Sequence, residues 1–349
     1  MVLSEKQTKG ETMAVPAALP LVTLYLSERC NSRCVTCDYW RHGTKDATLE
    51  TVRRLLPDLA ALRTRAALLS GGEPLINPQW AEIAALLKSR GLALWLLTSG
   101  LSLAKHAPRV VELFDSITVS LDGTSAATYA AIRGVDAFEK VCAGIRAVAA
   151  AGAAVGLRVT LQRANYRELP RFVTLARELG VTQVSFLAVD VGNPHAFARH
   201  DDFSRELALR AEDIPVLDEL LARLANEHAA DFRARFIAES PLKLRRIRDY
   251  FVALLGNGAF PRVRCNAPEF SAVIDASGRV APCFFIPGPS AAPRAPDLVA
   301  ALASEPASAL RAAIREGERP ECAKCVCSMW RDPATFASER FLLEARSRA

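Results

Sequence analysis

Cys30, Cys34 and Cys37 stand in a C-x3-C-x2-C arrangement directly after an apolar run, Leu21 to Ser27. Three thiolates from one short loop can converge on one small inorganic object and leave one of its positions open. On a cubic 4Fe-4S cluster that position is an iron free to bind a substrate or cofactor. The same thiols with His42 as fourth ligand would instead make a Cys3His zinc site, and spacing alone leaves both open. A second group closes the chain: Cys265, Cys283, Cys322, Cys325 and Cys327. Cys265 and Cys283 are separated by twelve residues, Gly278 and four more, and Cys322 and Cys325 form a C-x2-C pair. The ninth cysteine, Cys142, sits in a helical pattern between Val141 and Ile145 and reads as a small core residue.

The rest of the composition narrows the setting. The chain has 349 residues, half of them apolar, enough to bury a large core in one domain with an appendage. Its formal charge of +6 is scattered rather than blocked. Lys243, Arg245, Arg246 and Arg248 make the densest basic stretch; a phosphate-bearing partner is conceivable there, but an exposed helix face is the expected reading and nucleic acid is not an expected partner. No apolar run reaches the roughly 18 residues a membrane span needs. The first twenty residues, with Glu5, Lys6, Lys9 and Glu11, lack a signal peptide's apolar segment, so a cytoplasmic location is expected. Cytosolic thiols stay reduced, which directs the cysteines toward metal rather than disulfides.

The elements that must position these cysteines are an alternation of short apolar runs and amphipathic stretches, the pattern of parallel strands with helical crossovers. Strands are predicted at 21–27, 66–70, 93–98, 116–121, 156–161 and 183–189. Between them, Leu49, Val52, Leu55, Leu56, Leu59 and Leu62 recur at helical spacing, and Asn77-Pro78 predicts another helix start. In such α/β folds chemistry gathers at the carboxyl ends of the strands. There the cysteine loop follows the first strand, Gly71 to Pro74 the second, Ser99-Gly100 the third, and Asp122-Gly123 the fourth. Two or three helices are expected from Arg205 to Leu255, then a hairpin turning at Ser277-Gly278, a Pro- and Ala-rich linker from Pro287 to Pro296 and a short helix near Leu298 to Glu316. The expected architecture is a partial (β/α)6 TIM-type barrel with a small C-terminal domain. Its divisions are a disordered N-terminus over 1–19, the barrel over 20–200, a helical extension over 201–260 and a cluster domain over 261–349.

The three-cysteine motif, GGEP at Gly71 to Pro74 and SLDG at Ser120 to Gly123 together resemble the radical S-adenosylmethionine (SAM) superfamily, over roughly residues 20–190. The resemblance implies that Cys30, Cys34 and Cys37 hold a 4Fe-4S cluster whose open iron is chelated by SAM. Reductive cleavage then releases a 5'-deoxyadenosyl radical that abstracts hydrogen from a substrate. It implies SAM contacts at Gly71, Gly72 and Glu73, the last accepting from the SAM ammonium. Ser99, Ser120 and Asp122 would serve the ribose or carboxylate, and Arg133 would be a fork donor to the carboxylate. The family often places an aromatic residue before the third cysteine; here Thr36 stands there, and Tyr39 or Trp40 is left for the adenine contact.

The C-terminal group resembles the auxiliary-cluster half of the SPASM and twitch extensions. Cys265, Cys283, Cys322 and Cys325 would close a second 4Fe-4S cluster; four-cysteine zinc is the alternative. Cys327 is left as a spare, an alternate ligand or a hydrogen donor. The resemblance implies a SAM-dependent oxidoreductase or epimerase acting on a small biosynthetic metabolite, with an electron donor such as flavodoxin or ferredoxin. A peptide or protein maturase, and a non-catalytic metal-stabilised module or electron carrier, are the competing classes.

Overall fold

The computed structural model describes residues 16–198, 206–327, 329–338 and 340–342. Most of the expected disordered N-terminus, residues 1–15, lies outside them. Packing begins ahead of the first strand, where Leu19 is fully buried and its amide donates to Leu62 O at 2.8 Å.

All six predicted strands are present: β1 (Leu21–Ser27), β2 (Ala66–Gly71), β3 (Ala93–Thr98), β4 (Ser116–Ser120), β5 (Val155–Leu161) and β6 (Gln183–Ala188). They pair in parallel, each with the next. Helices α1 (Tyr39–His42), α2 (Leu49–Ala61), α3 (Trp80–Lys88), α4 (Leu103–Leu113), α5 (Ala126–Arg133), α6 (Phe138–Ala150) and α7 (Leu169–Glu178) lie between them. The core forms where helix stripes such as Val52, Leu55 and Leu59 of α2 meet apolar strand faces such as Val22, Leu24 and Leu26 of β1. These elements form an α/β partial barrel whose strand carboxyl ends share one rim.

One predicted helix start is corrected. Helix α3 begins at Trp80, because the Asn77 amide is committed elsewhere. Its Nδ2 donates to Leu26 O (2.6 Å) and Ala47 O (2.8 Å), and its Oδ1 accepts from Gln79 N (2.7 Å). Asn77 is therefore a buried tie to β1 and to the segment ahead of α2, and the helix starts beyond it.

The extension supplies three helices, α8 (Asp213–Glu227), α9 (Ala229–Arg233) and α10 (Pro241–Leu254); residues 199–205 lie outside the described ones. Ile237 bridges Val184 in parallel and so covers part of the outer edge of β6. After α11 (Ala267–Phe270), the predicted hairpin is present as β7 (Ser271–Ile274) and β8 (Val280–Ala281). Asp275 Oδ1 fastens its turn by accepting from Ser277 N (2.9 Å) and Arg279 N (2.9 Å), with Gly278 at φ +81°. Strand β7 also pairs in parallel with β1, Leu21 opposite Ser271, so the C-terminal region grows directly from the barrel sheet in the order β6-β5-β4-β3-β2-β1-β7-β8. Helices α12 (Leu298–Ala303), α13 (Glu305–Arg315) and α14 (Pro320–Ala323) complete it, two where one was predicted near Leu298 to Glu316. Among the described residues, no helix is long and apolar enough to cross a membrane.

Candidate active site

The loop carrying Cys30, Cys34 and Cys37 is clamped from two sides. From α5, Arg133 O accepts from Arg33 N (2.9 Å) and Ile132 O accepts from Val35 N (3.0 Å). From β2, Gly72 N donates to Ser27 O (2.7 Å) and Glu73 N to Arg29 O (2.9 Å). Glycine is required at this contact: a Cβ on Gly71, at φ +124°, would meet Ser27 O at 2.4 Å, and one on Gly72 would meet Arg29 O at 2.3 Å. The close approach that the Gly-Gly pair permits is thus to the chain's own cysteine loop.

Glu73 is likewise occupied within the protein. Its fully buried carboxylate accepts from Leu75 N (3.0 Å), Thr98 Oγ1 (2.8 Å), Ser99 N (2.7 Å) and Ser99 Oγ (2.7 Å). These bonds tie β2 to β3 and anchor the carboxylate within the protein. Ser99 Oγ also lies 3.1 Å from Asn31 Oδ1, within the cysteine loop. Ser99 is a strut between GGEP and the cysteines.

Burial pushes the Cys30 thiol up to about 11 and the Cys37 thiol up to about 12, with neighbouring thiols adding to each effect. Burial raises Cys34 as well, and the Arg133 charge opposes it. Three thiols held together in a dry loop suit a cationic centre that stabilises them as thiolates. Among the described residues, no three Cys, His, Asp or Glu side chains close on a single ion. The side chain of His42, the fourth ligand of the zinc alternative, lies outside the described residues.

Opposite the cysteines, Asp122 and Arg133 form a buried ion pair (3.1 Å), and Asp122 Oδ1 also accepts from Thr160 N (2.7 Å). Burial works against the Arg133 charge, but Cys34 and Asp122 outweigh it and hold the guanidinium protonated. Arg133 Nε is buried without a partner, as are Arg158 Nε and both polar side-chain atoms of Gln162. Buried polar groups in folded proteins nearly always have partners, so these orphaned atoms on α5, on β5 and directly after β5 fit a bound polar ligand. Half-buried Ser120 ends β4 opposite Arg158. Sequence reasoning missed Arg158 and Gln162. The available signal was an arginine within the otherwise apolar and small-residue β5, where Val155, Leu157, Val159 and Leu161 are buried and Gly156, Arg158 and Thr160 lie on the other, half-buried side.

The five C-terminal cysteines form one group. Cys265 precedes α11, Cys283 follows β8, Cys322 lies in α14, and Cys325 Sγ accepts from Cys327 N at 3.3 Å. Burial pushes Cys283 up to about 12, with Cys265 and Cys327 adding to it. It pushes Cys327 up to about 11, raised further by Cys265 and lowered by Arg158. Burial also raises Cys325 and Cys322. Cys327 therefore stands inside the group that the sequence reading gave to the other four, and within reach of the Arg158 charge.

Tyr39 packs edge-on against Tyr25 (ring centroids 5.8 Å apart), and Tyr25 lies 6.2 Å from Phe284, the neighbour of Cys283. Burial pushes the Tyr39 phenol up to about 12 and raises that of Tyr25, with Cys37 and Cys283 contributing to the latter. An aromatic bridge thus runs between the two cysteine groups, and Tyr39, the candidate adenine contact, is part of it.

A partial barrel with three thiols beyond its first strand, a glycine clamp beyond its second and a buried Asp-Arg pair beyond its fourth defines the radical SAM class. The family model described as Radical SAM superfamily matches residues 24–176, and the chain belongs to this superfamily. It is 35% identical over 169 residues to the pre-heme d1 synthase of Dinoroseobacter shibae, covering 46% of this chain and 41% of that protein. It is 30% identical over 232 residues to a probable GTP 3',8-cyclase of Saccharolobus islandicus, covering 64% of this chain and 73% of the relative. The chain spans about half the length of the first curated relatives it matches. In fold it is similar to Streptococcus suis SuiB bound to S-adenosylmethionine, with a TM-score of 0.64 and 13% identity over 90% of this chain and 73% of SuiB.

Proposed function

We propose that the chain is a radical SAM enzyme acting on a small biosynthetic metabolite, with oxidation or epimerisation as the outcome. In this reading Cys30, Cys34 and Cys37 hold the SAM-binding 4Fe-4S cluster, and the C-terminal cysteines hold an auxiliary one. Held by these residues, the first cluster would supply the electron that cleaves SAM reductively, the chemistry by which hydrogen would be taken from the substrate. The chain's own residues bind and orient. Arg133 and Arg158 offer buried, unpartnered Nε–H donors suited to a carboxylate, while Asp122 fixes the Arg133 fork. Glu73, Ser99 and the Gly71-Gly72 pair hold the cysteine loop against β2 and β3. Cys327 is the candidate hydrogen donor if it is not a ligand, because Arg158 joins its surroundings to the barrel strands.

The observation that carries this reading is the pair of unpartnered, buried Nε–H groups on Arg133 and Arg158, the first at the end of the helix that clamps the three-thiol loop. The test is anaerobic incubation of the reconstituted protein with SAM and a strong reductant. Formation of 5'-deoxyadenosine is expected, quantified by chromatography. Its absence from a protein with a full iron complement would restore the electron-carrier reading.

A further inference from the structure

The basic stretch of α10 divides by direction. Arg248 is tied to Asp218 (2.9 Å) and Asp249 (3.2 Å). Lys243 and Arg246 instead line an open cleft shared with the end of β6, residues 260–263 and residues 324–326. Arg262 and Lys324 bring two more cations to the same cavity, and Tyr250 and Phe260 give it an aromatic wall. Among the described residues, no carboxylate lines it. Lys243 has a partner in Glu239 at 3.7 Å, but that carboxylate is shared with Phe186 N (2.7 Å). Among the described residues, no carboxylate lies within ion-pair distance of Arg246, Arg262 or Lys324. Cys325 also lines the cavity, so a ligand there would lie beside the auxiliary cysteine group.

We infer that this cavity is an oxyanion subsite, taking the phosphate or carboxylate arm of a small molecule that carries an apolar or aromatic part. Four cations around one concavity make a local positive potential, two of them guanidinium forks suited to planar or tetrahedral oxyanions, with rings to receive the apolar part. The assignment of this arm to the substrate rests on the proposed function. The binding itself does not, since the four cations and the two rings are the chain's own side chains.

Phenyl phosphate and benzoate share a ring and differ in the oxyanion, and both are weak iron chelators. Titration calorimetry on the full chain is expected to show binding of at least one. Reversing two charges, Arg246→Glu with Arg262→Glu, is expected to weaken it about a hundredfold, roughly tenfold for each charge. The control is Arg54→Glu with Arg90→Glu, both exposed and remote from the cavity, which changes net charge equally and should leave binding within about twofold. Binding of phenyl phosphate alone assigns the site to phosphate, and binding of benzoate alone assigns it to carboxylate. Failure of both to bind the wild type, or equal weakening in the control, overturns the subsite. Because 5'-deoxyadenosine formation is read separately, either proposal can fail without the other.

Discussion

Cys30→Ala is expected to abolish 5'-deoxyadenosine formation from SAM, whereas Cys283→Ala should retain part of it while losing turnover of the true substrate. The asymmetry follows from where the thiols sit. Cys30 belongs to the loop clamped between Gly72 and Arg133, next to the orphaned donors that fit a carboxylate ligand. A two-thiol loop has no third anchor for a cubic cluster, and an open site needs three protein ligands to keep its fourth position for SAM. Cys283 follows β8, on the other side of β1 from β2, and its neighbour Phe284 faces the first group's side through Tyr25. Its loss disturbs the second centre and leaves the first loop's backbone bonds in place. Chromatographic measurement of 5'-deoxyadenosine with and without substrate checks both variants. Equal loss in the two would remove the case for separate roles.

Arg133→Met is expected to destabilise the fold by roughly 3–5 kcal/mol, the cost of leaving a buried carboxylate without its cation. Asp122 is almost wholly buried, and Arg133 is its salt-bridge partner. Methionine fills similar volume, so the loss is electrostatic rather than a cavity effect. Adding Asp122→Asn should recover much of that loss, because the amide oxygen can still accept from Thr160 N where Asp122 Oδ1 does now, at 2.7 Å. Denaturant unfolding of the single and double variants measures the difference. A single variant as stable as wild type would show that the pair does not hold this rim together.

Much of this architecture was legible because its signals are local. Each parallel strand is a short apolar run, and the residues able to do chemistry fall directly after such runs, so Cys30, Gly71, Ser99 and Asp122 could be placed on one rim without coordinates. Partnerships across the fold were not legible. That Glu73 also binds Thr98 and Ser99, twenty-five and twenty-six residues away, could not be read from its surroundings in the sequence. Asn77 reads as a cap until its amide is found on Leu26 and Ala47. Strand β7 reads as one arm of a hairpin, because nothing in Ser271–Ile274 reveals that its second edge pairs with β1, some 250 residues earlier. Cys327 fell outside a spacing rule that ignores how the turn after Cys325 folds the chain back.

The central claim is two iron-sulfur centres, one in each cysteine group. Anaerobic reconstitution followed by iron and acid-labile sulfide counting tests it most directly, on wild type and on a variant with Cys30→Ala, Cys34→Ala and Cys37→Ala together. The count is expected to be about eight irons in wild type, falling to about four in the variant, with sulfide in step. Zinc without sulfide in either group would contradict the cluster assigned there, and at the N-terminal group it would contradict the radical chemistry as well.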